Sequence, residues 1–351
     1  MSEGAAHADA PTAWRAFSAA FGAVAVALLV LLYGFVIALD PFGRRVGPDY
    51  PPTPLMDVNQ RYMYPQLARS GLFDSAIFGT STARLLDPRE LGAALGGRFA
   101  NLAVNAGTPW EQTELARLFL RHVKAPRTLV FALDRAWCDP WADFPMLRLT
   151  FRSFPPWLYD ENALNDYPEL LSSKSLEIAG RVALNRLGLM PPRIRQDGYE
   201  VFTPPEETYD LARAREHLRM ESGPALVGIQ TDPPTFPAIG WLAEVIRAAP
   251  PQTRIALLFP PLHASALPTR GAATAQDEAC KAAAIRTLAG RDAVALDYRQ
   301  ASTLTEQDAN FWDKLHYRLP IASRIASAIA AAFDGRAGAE AGEYRLMRAR
   351  S

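Results

Sequence analysis

Residues 73–88 read FDSAIFGTSTARLLDP, an apolar run that halts at Gly79-Thr80-Ser81-Thr82 and passes at once into a helix-like stretch. A short buried strand leading through a small hydroxyl-rich turn into a helix is the opening unit of a parallel sheet covered by helices. The alternation continues down the chain. Strands are expected at SAIFG (75–79), RFANLAV (98–104), TLVFALD (128–134), RIALLFP (254–260) and AVALDY (293–298). Between and after them lie the helical candidates DPRELGAAL, PWEQTELARLFLRHV, AIGWLAEVIRAA, AQDEACKAAAIRTLAG and PIASRIASAIAAAF. In the second of these Leu115, Leu118, Leu120 and Val123 approximate helical spacing, so one face packs on the sheet. The expected class is α/β with a parallel five-stranded sheet.

The chain has 351 residues, 49% of them hydrophobic, enough for a large core. Lys+Arg and Asp+Glu both total 37. With no excess charge to concentrate polyanions, nucleic acid is not an expected partner. Residues 1–15 form an N-terminal tail. Ala16 to Leu39, AFSAAFGAVAVALLVLLYGFVIAL, carries no charge. As a helix it would reach roughly 36 Å against a hydrocarbon core of about 30 Å. A cleaved signal peptide has a shorter apolar region and a small-residue cleavage site, so an uncleaved single-pass anchor, residues 16–39, is expected to contact the lipid bilayer. Arg15 precedes the segment while Arg44 and Arg45 follow it, and by the positive-inside rule alone the body would be cytoplasmic.

Residues 40–56 are a proline-rich linker, and residues 57–333 form the α/β domain. About a hundred residues, 137–235, separate the third strand from the next helix. Loops of that length contain structure of their own, so an inserted cap over the sheet edge is expected. Residues 334–351 lack an apolar face and read as a disordered tail. Cys138 and Cys280 make neither a metal spacing nor a disulfide framework and are expected to be buried free thiols.

Open parallel sheets gather ligands outside the carboxyl ends of their strands. Ser81 stands at such an end, although Thr80, Ser81 and Thr82 could equally cap the following helix. The late stretch NFWDKLHYR, 310–318, shifts that balance. Asp313 and His316 lie three apart, so within a helical turn their side chains share a face. The carboxylate can then fix the imidazole tautomer and leave its other nitrogen as a base. His263, at another strand end, is the alternative base, whereas His122 and His217 read as solvated residues on polar helix faces. No His/Cys/Asp cluster has metal-ligand spacing, and phosphate-cradling glycine motifs are missing, so no metal or cofactor is expected. GTSTA also approaches the Gly-x-Ser-x-Gly elbow, but this serine follows the first strand, and the Asp and His arrive together at the end.

FGTSTARLLDP, NLAVNAGTP and FWDKLHYR together resemble the sequence blocks of the SGNH (GDSL-type) hydrolase superfamily. Within it they are most similar to membrane-anchored, alginate O-acetyltransferase-like proteins of the bacterial envelope. The resemblance implies a three-layer flavodoxin-like fold, with Ser81 as nucleophile, His316 as base and Asp313 as its orienting acid. It further implies an oxyanion hole from the backbone N–H groups of Ser81 and Gly107. The motif departs from the pattern twice. Thr80 replaces the usual Asp before the serine, and ALDRAWCDP lacks the Gly-x-Asn-Asp block that supplies a third oxyanion donor. Asn105 or Arg135 could substitute by position.

The implied activity is hydrolysis of an acyl ester, or O-acyl (acetyl) transfer onto a cell-envelope glycan. The implied partners are an acylated polysaccharide and a membrane acyl-donor protein. The implied location is the inner membrane with the body periplasmic, against the flanking charges. The altered third block also admits a catalytically idle glycan-binding or assembly factor.

Overall fold

A computed structural model describes residues 10–47, 50–220, 228, 234–268, 271–336 and 342–347. The start of the N-terminal tail, part of the cap (221–227 and 229–233) and half of the C-terminal tail (337–341 and 348–351) lie outside the described residues. The elements are α1 Ala10–Leu39, α2 Gln60–Arg69, β1 Ser75–Phe78, α3 Ser81–Arg84, α4 Pro88–Leu95, β2 Phe99–Asn101 and α5 Pro109–His122. They continue with β3 Thr128–Ala132, α6 Asp166–Glu169, α7 Ser173–Arg186, α8 Leu211–Met220, α9 Pro237–Ala248, β4 Arg254–Phe259 and α10 Ala272–Arg286. The last are β5 Ala293–Asp297, α11 Leu319–Phe333 and β6 Arg345–Met347.

The sheet has six strands in the order β2-β1-β3-β4-β5-β6. The first five are parallel, with Ser75 paired to both Phe99 and Thr128 and Thr128 to Arg254. All five expected strands form, each within the expected boundaries. The sixth, β6, runs antiparallel to β5 and belongs to the segment read as a disordered tail. Arg345 explains the difference. Its guanidinium pairs with Asp297, at the end of β5, and with Glu278 on α10. Ion pairing, rather than an apolar face, holds this strand, so a hydrophobic pattern search passes over it.

Side chains alternate across the strands, as the twofold period of a strand requires. Phe78, Leu129, Phe131, Ile255, Leu257 and Phe259 face one layer with α2, α5, α9 and α10. Ile77, Val130, Leu258 and Leu296 face the other, with α4 and α11. Full burial of each such side chain contributes about 1.5–3 kcal/mol.

The long apolar helix is exposed over most of its length, but its last turns enter the body. Val36 belongs to the main core, and Tyr33, Ile37 and Leu39 pack against it. The Tyr33 hydroxyl donates to Tyr167 O at 2.8 Å, and Arg44 Nε pairs with Asp166 at 2.5 Å. Part of the cap therefore grips the base of α1. Another part covers the β2 edge, where the Asn101 N–H donates to Asp197 O at 2.8 Å and the Tyr64 hydroxyl to Gly198 O at 2.7 Å.

Cys138 and Cys280 form a disulfide with Cα atoms 5.5 Å apart, closing a sequence separation of 142 residues. This corrects the expectation of free thiols. The fold brings the turn after β3 against α10, a proximity that spacing along the chain does not encode.

Candidate active site

Loops at the carboxyl ends of all five parallel strands meet around a cavity of about 350 Å³. Its wall includes Thr80–Thr82, Ala106–Thr108, Asp134–Ala136 and Leu315. Gly79 makes the first loop possible: a Cβ there would lie 2.7 Å from Ala83 Cβ and 2.9 Å from Ala132 Cβ. The chain can thus turn sharply after β1 and present Ser81 as the first residue of α3. The first N–H groups of a helix have no partner within it, so the Ser81 N–H has no intrahelical acceptor.

The late Asp and His are placed by a bend. Phe311 and Tyr317 bridge across a tight loop, and the Trp312 N–H donates to His316 O at 2.8 Å. Asp313 Oδ1 accepts the N–H groups of Leu315 at 2.7 Å and His316 at 2.8 Å. The helical turn expected over 313–316 is absent, and this carboxylate-capped bend replaces it. Asp313 Oδ2 lies 2.7 Å from His316 Nδ1, and His316 Nε2 lies 2.9 Å from Ser81 Oγ. With the proton on Nδ1 held by Asp313, Nε2 accepts the Ser81 hydroxyl proton. Burial raises the Asp313 pKa, but the hydrogen bond and charge of His316, with the two N–H groups, outweigh it and hold the carboxyl below its usual value.

The loop is locked to its neighbours. The Tyr317 hydroxyl donates to Thr82 O, Phe202 meets the His316 ring edge-on at 5.2 Å, and the His263 N–H donates to Lys314 O at 3.1 Å. His263 itself faces Ser265 and Asp308, at 2.8 and 3.1 Å. It supports the loop and does not reach Ser81. His217 is exposed as expected. His122 is instead half-buried, 3.6 Å from Glu161.

Thr80 makes no capping bond to α3. Its hydroxyl lies 3.3 Å from Thr82 Oγ1 and beside the half-buried Asp134 carboxyl. Burial pushes the Asp134 pKa up, partly offset by Thr80, the Ala136 N–H and the Arg299 charge.

The expected oxyanion donors divide. Ser81 is at the cavity with its N–H available. The Gly107 N–H is spent on Val104 O at 2.9 Å, which corrects its assignment as a free donor. Gly107 is glycine for packing, since a Cβ there would meet Val104 O at 3.0 Å. Asn105 does not line the cavity: its N–H donates to Gln60 Oε1 at 3.3 Å, and its carbonyl accepts from Arg61 at 3.1 Å. Arg135 does line it, and its guanidinium makes no hydrogen bond or ion pair with another described residue.

Two supporting residues escape a reading of the sequence. Asn101, fully buried in β2, donates from Nδ2 to Ala83 O at 3.0 Å and Leu86 O at 2.9 Å, and accepts the Ala103 N–H at 3.0 Å on Oδ1. It fastens the far end of the turn that carries Ser81. Its signal was a polar side chain inside an apolar strand. Arg61, also fully buried, pairs with Glu111 at 2.6 Å and donates to the carbonyls of Asn105 and Ala106, fixing the second loop. That loop holds Ala106 at φ 49°, a left-handed conformation uncommon outside glycine. A scan against protein-family models and a search of curated proteins returned no match for the chain.

Proposed function

We propose that this chain is a membrane-anchored serine acyl-transfer enzyme of the SGNH type, with a flavodoxin-like sheet. The observation that carries the reading is the linear Ser81–His316–Asp313 relay, at 2.9 and 2.7 Å, opening onto a cavity. Ser81 Oγ attacks an ester carbonyl carbon while His316 Nε2 takes its proton. The tetrahedral intermediate collapses, the leaving alcohol recovers that proton, and Ser81 is left acylated. Water or a sugar hydroxyl then attacks, with His316 again the base, and free Ser81 returns. The Ser81 N–H and the Arg135 guanidinium are the groups available to the oxyanion, where one donor is worth about 2.7–4 kcal/mol.

The acceptor we propose is a cell-envelope glycan, with an acylated polysaccharide or a membrane partner as acyl donor. A body tethered at the bilayer suits a polymer held there. The Cys138–Cys280 disulfide supports an oxidising compartment, hence a body on the periplasmic side of the inner membrane. The packing of Val36 into the core supports retention of the helix after synthesis.

The committed N–H of Gly107 favours one second reading, a glycan-binding or assembly factor that keeps the relay without efficient turnover. The full chain in detergent, given an activated acetyl ester and a fluorophosphonate, separates the two. The enzyme reading expects turnover, and labelling at Ser81 that His316→Ala abolishes. Equal product release by wild type and Ser81→Ala would rule it out.

A further inference from the structure

The cap exposes apolar residues at several places, Met146, Phe151, Leu187 and Leu189 among them, and one group adjoins the anchor. Leu164 is 79% and Leu171 55% exposed, and Tyr167 between them is also exposed. Tyr167 is bonded to the base of α1, and Leu164 and Leu171 lie three and four residues from it along the chain. Tyr167 O accepts the Tyr33 hydroxyl, its ring lies under the Arg44 guanidinium at 4.6 Å, and Ala163 O accepts from Arg44 Nη2 at 2.8 Å. Together with the Arg44–Asp166 pair, these bonds fasten residues 163–167 to the anchor, so this segment has a fixed height relative to it.

That height follows from the helix itself. Trp14 and Tyr33 are separated by 19 positions, which is about 28 Å along a helix axis and matches a hydrocarbon core of about 30 Å. Trp and Tyr concentrate at the two membrane–water interfaces. From Ala16 to Leu32 the helix carries no charge and is exposed almost throughout, Arg15 stands beside Trp14 at its outer end, and burial in the body begins just past Tyr33. Tyr33 therefore marks the bilayer surface, and a segment bonded to its hydroxyl lies at headgroup level. Arg44, paired and stacked over Tyr167, has the amphipathic character that interfacial layers favour.

We propose that the cap makes a second membrane contact, in which Leu164, Tyr167 and Leu171 enter the interfacial layer of the bilayer beside α1. The occupant of this surface is lipid, by continuity with the span. The anchor is then one of two attachments. It sets depth, and the apolar rim removes the body's freedom to tilt, which holds the mouth of the Ser81 cavity in one orientation to the membrane. The inference rests on α1 spanning the bilayer and is independent of the chemistry at Ser81.

Nitroxide labels on the full chain in phosphatidylcholine–phosphatidylglycerol nanodiscs test it, since the native cysteines are paired. Leu164→Cys, Leu171→Cys, Leu28→Cys within the span and Arg89→Cys on the opposite layer would be labelled one at a time. Power saturation with oxygen and a water-soluble nickel chelate then reads depth. The expected result is Leu28→Cys deep in hydrocarbon, with 164 and 171 several-fold less accessible to nickel than 89. Labels at 164 and 171 as nickel-accessible as 89, with 28 still in lipid, overturn the proposal. A nickel-accessible label at 28 sinks the span and the contact that rests on it.

Discussion

Asp313→Asn is the sharpest test of the relay. Asp313 Oδ1 accepts two backbone N–H groups and Oδ2 faces His316 Nδ1 at 2.7 Å. An asparagine keeps the oxygen on the backbone pair, because the amide NH₂ cannot accept there. Its nitrogen must then face Nδ1, where it can only donate. His316 is driven to the tautomer with its proton on Nε2, the atom 2.9 Å from Ser81 Oγ. The base becomes a donor, with the bend intact. Where an Asp-to-Asn change traps the wrong tautomer, kcat falls by about 10⁴, equivalent to about 5.5 kcal/mol of barrier. Hydrolysis of an activated acetyl ester by the full chain measures kcat, and thermal unfolding checks that the fold survives. Loss of less than tenfold with an unchanged Tm would refute the orienting role of Asp313.

Other perturbations separate the remaining parts. Arg135→Ala is expected to lower kcat by about 10²–10³ with KM little changed, as for loss of an oxyanion donor. A raised KM at constant kcat would instead make Arg135 a ground-state substrate contact. Asn101→Ala leaves the Leu86 carbonyl and the Ala103 N–H without their partner in the interior, and a loss of about 2–4 kcal/mol is expected in denaturant unfolding. A variant as stable as wild type would show that water replaces the amide. The double change Cys138→Ser, Cys280→Ser opens a long loop and is expected to cost about 2–4 kcal/mol, read as a lower Tm that reductant no longer shifts. For Asp134 the folded pKa lies above the unfolded one. Its share of stability is therefore full below pH about 4 and lost as pH rises through the folded value. Asp134→Asn removes that loss, so its Tm relative to wild type should climb from pH 4 to pH 7, and a flat difference would contradict it.

The sheet was legible because its strands are short apolar runs bounded by turns, and the first five obey that pattern. β6 was not, because a strand held by Arg345 on Asp297 and Glu278 has no apolar signature. The relay was legible in its parts: a hydroxyl at a strand end, and a carboxylate three residues before a histidine. Its local geometry was not. An i,i+3 pair fits a helical turn and also the bend that Asp313 builds by accepting two N–H groups, and only the Phe311–Tyr317 bridge decides between them. Gly107 shows the limit of reading glycines, since room for a close approach does not say what approaches. Here Val104 already fills that room on one side. Cys138 and Cys280 show the same limit at long range.

Thr80 and Asp134 connect the two departures from the expected motif. A carboxylate was expected just before the nucleophile, and Thr80 stands there. At the end of β3 the sequence offers Asp134 in place of the expected block. In the fold Thr80 and Asp134 line the same cavity, so an acid still adjoins the turn that carries Ser81, supplied by the neighbouring strand. The same short turn after β3 carries Arg135 to the cavity and Cys138 to its disulfide. The β3 turn therefore does structurally, through three side chains in five residues, what the motif concentrates elsewhere. Its rigidity comes from the bridge to α10 and from Arg299, which donates to Leu133 O at 2.7 Å and pairs with Asp277 at 2.9 Å. Opening the disulfide should consequently weaken Arg135-dependent catalysis more than the relay itself. In the disulfide-free variant, the ester kcat should fall while fluorophosphonate labelling of Ser81, which needs only the His316-activated hydroxyl, is largely kept. Loss of both in proportion, in protein shown to be folded, would mean that the bridge holds the whole sheet edge and not this turn.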